Sequence, residues 1–115
     1  MDSKHDLPKQ HGIWIIDANG KTVYANDHMA EILGVTGADL VGKDSFHYVF
    51  PEDVSAAERL FAAKQAGSTA PFHFRLRRAD GSCVWVDVQG TPMRNAAEEF
   101  TGIVGTFAIA ATQPA

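Results

Sequence analysis

The feature that most constrains the fold is a long stretch of alternating residues, 72–93, interrupted once by Asp80-Gly81. On both sides of that dipeptide, apolar side chains occupy every second position: Phe72, Phe74 and Leu76 before it, and Val84, Val86 and Val88 after it. A period of two predicts β-strands with one apolar and one polar face. Asp-Gly is typical of a tight hairpin turn, because it supplies residues that accept positive φ. We therefore predict an antiparallel hairpin, whose apolar face needs cover from the rest of the chain.

Three more strands and several helices are predicted around this hairpin. Residues 13–16 and 22–24 form a second hairpin across Asn19-Gly20, and Phe100–Ile109 is the last strand. Helices are predicted at Asp27–Leu33, capped by Asn26 or Asp27, and at residues 52–66, with single turns at residues 38–41 and 46–50. Gly102 and Gly105 in the last strand indicate close packing. This order predicts an α+β fold, with helices on one face of an antiparallel sheet.

Composition narrows the function classes. With 115 residues, a net charge of -4 and a pI near 5.6, the chain is predicted to be one domain without a nucleic-acid partner. The basic residues Arg75, Arg77 and Arg78 fit the solvated face of a strand. Cys83 is the single cysteine, so neither an intrachain disulfide nor a cysteine-based zinc site can form.

The ends of the chain are polar. Residues 1–11 form an expected N-terminal tail or linker, residues 12–110 the domain, and residues 111–115 a C-terminal tail. Both ends are interpreted as cut from a longer chain. No apolar run is long enough to cross a bilayer, and no signal peptide is visible, so we expect a cytoplasmic protein without a membrane partner.

Five short segments, in this order and at these spacings, resemble the PAS family over residues 12–110. They are GIWIID with Asn19-Gly20, VYAN before an apolar helix ending at Leu33-Gly34, LVGK at residues 40–43, FPED at residues 50–53, and RRADGS followed by VWV. The resemblance implies a five-stranded antiparallel sheet of order 2-1-5-4-3 with helices covering one face. It also implies a sensory PAS/PAC module of a bacterial signalling protein. The chain departs from the family at its last strand, where Ala108-Ile109-Ala110 replaces the usual Asp-Ile-Thr.

The resemblance also gives cofactors to test. Haem-bearing relatives bind iron through a histidine on the long helix, but no histidine lies between Pro51 and Phe72. Light-sensing relatives form a flavin thioether from a cysteine in the region that corresponds to residues 43–50, which has none. The coumaroyl type also needs a placed cysteine. Haem and covalent flavin chemistry are therefore not expected, whereas a non-covalent redox flavin or a small apolar ligand is left open.

A ligand cavity in such a domain is expected to be mostly apolar, with a few polar groups. The candidate lining residues are Met29, Leu33, Leu40, Phe46, His47, Tyr48, Val49, Leu60, Phe61, Phe74, Val86 and Phe107, with Phe72 and Val88 beside them and Thr106 or Gln89 as further polar groups. The alternative is that these side chains simply fill the core, as their spacing alone permits.

The sheet face without helices is the candidate partner surface. Trp14 (or Ile15) and Trp85 are predicted to form an apolar patch there, of the kind that marks interfaces. Residues 1–11 contain Pro8 and few apolar residues, which argues against a covering helix, so we expect a homodimer.

The sequence does not favour an enzyme. The carboxylates Asp17, Asp27, Asp39, Glu52 and Asp53 stand at turns and helix starts, where capping explains them, and His5, His11 and His28 lack metal-ligand spacing. The favoured function is a regulatory sensor module that binds a ligand, dimerises, or does both, and thereby controls a linked histidine kinase or cyclic-dinucleotide enzyme. The alternatives are a ligand-free dimerisation or protein-interaction module, and a redox flavin-binding sensor.

Overall fold

A computed structural model describes residues 11–114 of the chain. The predicted tail at residues 1–11, apart from His11, lies outside the described residues, as does His5. Five strands form one antiparallel sheet in the order β2-β1-β5-β4-β3, as predicted. Their bounds are β1 Gly12–Asp17, β2 Thr22–Ala25, β3 Phe72–Arg77, β4 Cys83–Arg94 and β5 Phe100–Ile109.

The long hairpin forms as predicted, and its register carries the alternation through the sheet. Phe74 pairs with Val86, and Val88 in turn pairs with Phe107 of β5. Because paired residues share a face, the apolar side chains of three strands meet on the side that the helices cover. β5 lies between β1 and β4, so the last strand in the sequence is the central strand of the sheet.

All three hairpin connections use the same turn, which differs from the tight two-residue turn predicted at Asp80-Gly81. The N–H of the fourth residue donates to the carbonyl of the first at 2.8–2.9 Å, and a second backbone bond closes the loop one residue later. Only that fourth residue has positive φ: +83° at Gly20, +88° at Gly81 and +65° at Glu98. This is the three-residue loop in which a residue in the left-handed region forms a bulge. Glu98 adopts this conformation although its side chain makes a positive φ unfavourable by about 1–2 kcal/mol, a penalty that the two glycines avoid.

The segment of the chain between β2 and β3 forms helices, which cover one face of the sheet. They are α1 Asp27–Leu33, α2 Gly37–Leu40 and α3 Val54–Gln65, with 3₁₀ turns at Ser45–Tyr48 and Pro51–Asp53. Asn26 caps α1 by accepting the Met29 N–H at 2.9 Å, and Gly34 ends it with φ +75°. The helix predicted at residues 52–66 is shorter in the structure. Its first residues belong to the 3₁₀ turn that begins at Pro51, and α3 itself begins at Val54. The single turn predicted at residues 38–41 begins one residue earlier, because Thr36 and Asp39 form a capping box.

The three arginines predicted to lie on a solvated strand face instead connect β3 to the helices. β3 is an edge strand, so the long side chains reach round the edge. Arg75 bonds Asp53 through two nitrogens and lies 4.8 Å from the Phe50 ring centroid. Arg77 donates to the His47 carbonyl, and Arg78 to the Ile32 carbonyl at the end of α1, both at 2.7 Å. These bonds satisfy backbone carbonyls that the short helices leave unpaired.

The chain leaves the sheet beside Trp85. After β5 the Ala110 N–H donates to the Trp85 carbonyl at 3.0 Å. The Gln113 side chain then continues the ladder: its Oε1 accepts the Trp85 N–H at 2.8 Å, and its Nε2 donates to the Trp85 carbonyl at 3.0 Å. Gln113 Oε1 thus accepts the Trp85 N–H in place of the Ala110 carbonyl, and that carbonyl accepts from Gln113 Nε2 at 2.9 Å. Among residues 11–114, no helix is long and apolar enough to span a membrane.

Candidate functional site

An apolar cavity of about 120 Å³ lies between α3 and the sheet. Its walls are phenylalanines and aliphatic side chains from both layers: Trp14, Ile16, Phe46, Val49, Ala57, Leu60, Phe61, Phe72, Phe74, Leu76, Val86, Val88, Ile103 and Phe107, with Ser45, Lys64, Gly90 and Gly105. An engineered apolar cavity of about 150 Å³ in another protein stays dry and binds benzene. A ligand of about that size is therefore what this cavity accommodates.

Two glycines leave room above the sheet. Gly90 of β4 and Gly105 of β5 are direct cross-strand partners on the helical face. A methyl group at Gly105 would lie 2.7 Å from Cε1 of Phe107, and one at Gly90 would lie 3.2 Å from Cε of Lys64. Gly105 had been predicted to allow close packing, and the Phe107 ring uses that space. The paired glycines therefore make a floor without side chains.

The opposite wall comes from the helical repeat of α3. Ala57, Leu60, Phe61 and Lys64 stand at positions i, i+3, i+4 and i+7, which places them on one face of the helix. Ala57 contributes only a methyl group at the N-terminal end of this face. The small residue leaves volume that a larger side chain would occupy.

Of the described residues that line the cavity, Lys64 alone is charged. It is 3% exposed, and its Nζ donates to the Ala70 carbonyl at 2.8 Å. Burial lowers the pKa of Lys64, because removal from water disfavours the ammonium form. Ser45 is the other polar side chain on the wall.

The structure brings together seven of the twelve predicted ligand residues. The cavity is lined by Phe46, Val49, Leu60, Phe61, Phe74, Val86 and Phe107, and also by Phe72 and Val88. The other five lie elsewhere. Met29, Leu33 and Leu40 are fully buried in the solid part of the core, and Tyr48 belongs to the same cluster. His47 is exposed, outside the cavity.

Sequence reasoning did not select Ala57, Lys64, Gly90 or Gly105 as site residues. For Ala57 and Lys64 a signal existed, because both fall at the helical spacing that also contains Leu60. For the two glycines the signal is their pairing across strands, which depends on the register between β4 and β5.

The prediction that Trp14 lies on the outer sheet face is wrong. Trp14 is 5% exposed and faces the helices, with its Nε1 donating to Thr22 Oγ1 at 2.8 Å. Its ring centroid lies 5.5 Å from that of Phe107 and 5.9 Å from that of Tyr48. The alternation of β1 sets this outcome, since Gly12, Trp14 and Ile16 share the inner face, and Ile13 and Ile15 point outward.

Trp85, by contrast, lies on the outer face. It alternates with the buried Val84 and Val86, and it stacks on His73 of β3 with 4.9 Å between ring centroids and 13° between planes. His73 Nδ1 lies 2.8 Å from Asp87 Oδ1, its cross-strand partner.

A second outer group is formed by Tyr24, Ile15 and Val104, which pair in one row across β2, β1 and β5. Tyr24 is 48% exposed. Within the part of the chain that the structure describes, no helix covers this row.

Larger cofactors do not fit the cavity at its observed size. Sites for drug-sized ligands and cofactors usually enclose about 300–1,000 Å³, so haem or a flavin ring system would require it to enlarge. Cys83 is exposed at the start of β4 and does not line the cavity. Within residues 11–114, no group of three His, Cys, Asp or Glu side chains is placed to hold a metal ion.

Comparisons with known proteins agree with this architecture. A family model described as PAS fold matches residues 10–108. A protein of Sinorhizobium fredii (strain NBRC 101917 / NGR234), described as the uncharacterized protein y4lL, is 33% identical over 94 residues. That match covers 81% of this chain and 11% of the relative, so the chain spans about a tenth of the relative's length.

Two solved structures show the same fold at low identity. A light-oxygen-voltage domain studied with a flavin analogue superposes with a TM-score of 0.76 and 20% identity, covering 89% of this chain and 78% of that chain. A sensory box histidine kinase/response regulator from Burkholderia thailandensis superposes with a TM-score of 0.69 and 22% identity, covering 87% and 76%.

Proposed function

The chain belongs to the PAS family, which consists of sensor modules, and from that premise we propose that it senses a small-molecule ligand bound in the cavity between α3 and the sheet. The observation that carries this proposal is the cavity itself. It encloses about 120 Å³ and has an almost wholly apolar wall. A void of that size lowers stability by roughly 24 cal/mol per Å³ when it is empty, and an apolar ligand recovers part of that cost.

The ligand acts through β5. Gly105 and Phe107 of this strand line the cavity, and the chain leaves the sheet shortly afterwards at Ala110. A ligand shifts the population only if it binds one arrangement of α3 and β5 better than another. The bond between Gln113 and Trp85 is positioned to differ between two such arrangements, because it joins the exit segment to β4.

The output that this module controls is a linked signalling domain, either a histidine kinase or a cyclic-dinucleotide enzyme. Two findings support a longer parent protein. The similar protein from Sinorhizobium fredii is about nine times the length matched here, and the similar fold from Burkholderia thailandensis belongs to a sensory histidine kinase/response regulator. The module itself regulates and does not catalyse, since its cavity wall offers one amine and one hydroxyl.

Native mass spectrometry and an absorption spectrum of the purified chain test the sensor proposal. We expect either a bound mass of about the size of benzene or, after purification, a protein that binds added toluene. A protein that binds neither toluene nor other small apolar compounds would contradict a ligand sensor. A visible flavin spectrum would instead support the redox-sensor alternative, with an enlarged cavity.

Dimerisation through the outer sheet face is the second candidate function. The row of Tyr24, Ile15 and Val104 gives that face one apolar group, and the stack of Trp85 on His73 gives it a second group further along β4, since Val104 pairs with Thr91. A second copy presents the same apolar row and so matches it in chemistry. Sedimentation equilibrium over a range of concentrations tests this function, and a monomer at the highest concentration contradicts it.

A further inference from the structure

Lys64 is an unusual residue for the wall of an apolar cavity. It is 3% exposed and lies in the last turn of α3, among Leu60, Phe61 and Phe72. Lysine is almost never fully buried unless its charge is paired. None of the ion pairs between described residues includes Lys64; they involve Lys21, His28, His73 and Arg75 instead.

Among the described residues the ammonium group has one hydrogen-bond acceptor, and its stem lies on the cavity wall. An ammonium carries three donors, and the structure shows one of them used, towards the Ala70 carbonyl. The Nζ atom lies 5.5 Å from the centroid of the Phe72 ring, which itself lines the cavity. A favourable cation–π distance adds some stabilisation but does not neutralise the charge.

The sheet keeps space for this side chain. Gly90 lies directly beneath it, and a methyl group at that position would approach Cε of Lys64 to 3.2 Å and Cδ to 3.7 Å. Thus the glycine that makes part of the cavity floor also accommodates the lysine stem. The methylene groups of Lys64 lie on the cavity wall, and its ammonium group lies beyond them, bonded to the Ala70 carbonyl.

We propose that the sensed ligand is a small monocarboxylic acid, with an apolar body about the size of a benzene ring in the cavity and its carboxylate paired with Lys64 Nζ. This inference rests on the proposed sensor function. The apolar body of the ligand is inferred from the cavity volume and its apolar wall. Its single negative charge is inferred from Lys64, the one cationic side chain among the described residues of that wall. A phosphate monoester carries nearly two charges, of which one ammonium pairs only one.

Benzoate and toluene are matched probes for this proposal, because they share a ring and differ in the carboxylate. Binding is measured by ¹H–¹⁵N NMR titration of the 115-residue chain, of Lys64→Met, and of Lys43→Met as a control at an exposed lysine outside the cavity. We expect benzoate to bind the parent and Lys43→Met equally, and Lys64→Met at least tenfold more weakly. Toluene should bind the parent and Lys43→Met with similar affinity, and Lys64→Met should lose much less affinity for toluene than for benzoate.

The outcomes separate the inference from the proposed function. If toluene binds but benzoate binding is absent or unaffected by Lys64→Met, the cavity remains a ligand site and the role of Lys64 is refuted. If neither probe binds the parent, the sensor proposal fails together with this inference. Lysine Cε labelling of the parent provides a readout that needs no variant: benzoate should raise the pH at which the Lys64 signal titrates and toluene should not, and a titration that benzoate leaves unchanged refutes the pairing.

Discussion

Filling the cavity from α3 is the most direct test of whether it is a real void. Ala57 lies on the helical wall, so Ala57→Leu adds three carbon atoms to that wall. Removing all 120 Å³ would stabilise the protein by about 2.9 kcal/mol at roughly 24 cal/mol per Å³. Leucine fills about half of that volume, so we expect about 1–1.5 kcal/mol of added stability.

Urea denaturation measures this change. With a slope of about 1–3 kcal/mol per M, the unfolding midpoint should rise by about 0.3–1.5 M urea. The matched control is Ala63→Leu, the same substitution at an exposed position of the same helix, which should change stability by less than about 0.5 kcal/mol. Ala57→Leu should also lose toluene binding, whereas Ala63→Leu should retain it.

A destabilised Ala57→Leu would refute the reasoning. Inserting carbon atoms into a filled core costs about 1–3 kcal/mol, because neighbouring side chains must leave their preferred rotamers. A loss of that size, with Ala63→Leu unchanged, would mean that the helices and sheet pack without a void. The side chains around α3 would then be core and not a binding site.

Three further predictions concern a turn, a titration and an interface. Gly81→Val should lower the free energy of unfolding in urea by more than about 1 kcal/mol, because a β-branched residue resists positive φ. Glu98→Gly should raise it by about 0.5–1 kcal/mol, because glycine accepts positive φ without that penalty. Changes of the same sign in both variants would count against the shared turn. Burial lowers the pKa of Lys64, so the unfolded chain binds the lysine proton more tightly than the folded chain. As pH increases towards the ordinary value of 10.5, the free energy of unfolding should therefore rise more steeply in the parent than in Lys64→Met. Parallel plots of unfolding free energy against pH would contradict the burial of the charge. Trp85→Ala should weaken dimerisation in sedimentation equilibrium with little loss of stability, and a collapse of stability at an unchanged dimer constant would assign Trp85 to the core.

Local patterns were sufficient where one face of a strand is polar. In β3 and β4 the alternation identifies the inner residues, because polar side chains such as Arg75, Asp87 and Gln89 mark most outer positions. In β1 the run Ile13-Trp14-Ile15-Ile16 is apolar on both faces, so its pattern does not tell which parity faces the helices. The misplacement of Trp14 follows from that ambiguity, which only the pairing with β5 resolves.

The site was harder to predict than the fold, because a cavity is defined by what is missing. Helical spacing identifies Met29 and Leu60 equally well as inward-facing residues, yet only Leu60 lines the void. The difference arises from Gly90 and Gly105, which become neighbours through register. The strand order itself came from the resemblance, since alternation carries no information about which strands are adjacent.

The exit of the chain is held by a neutral group. Where the family usually has an aspartate at the end of the last strand, this chain has Ala108-Ile109-Ala110, and the amide of Gln113 makes the polar connection to Trp85 instead. An amide has no charge to be titrated or screened by salt, unlike a carboxylate. The strength of this connection should therefore stay nearly constant when pH or ionic strength changes, whereas a carboxylate at the same place would respond to both.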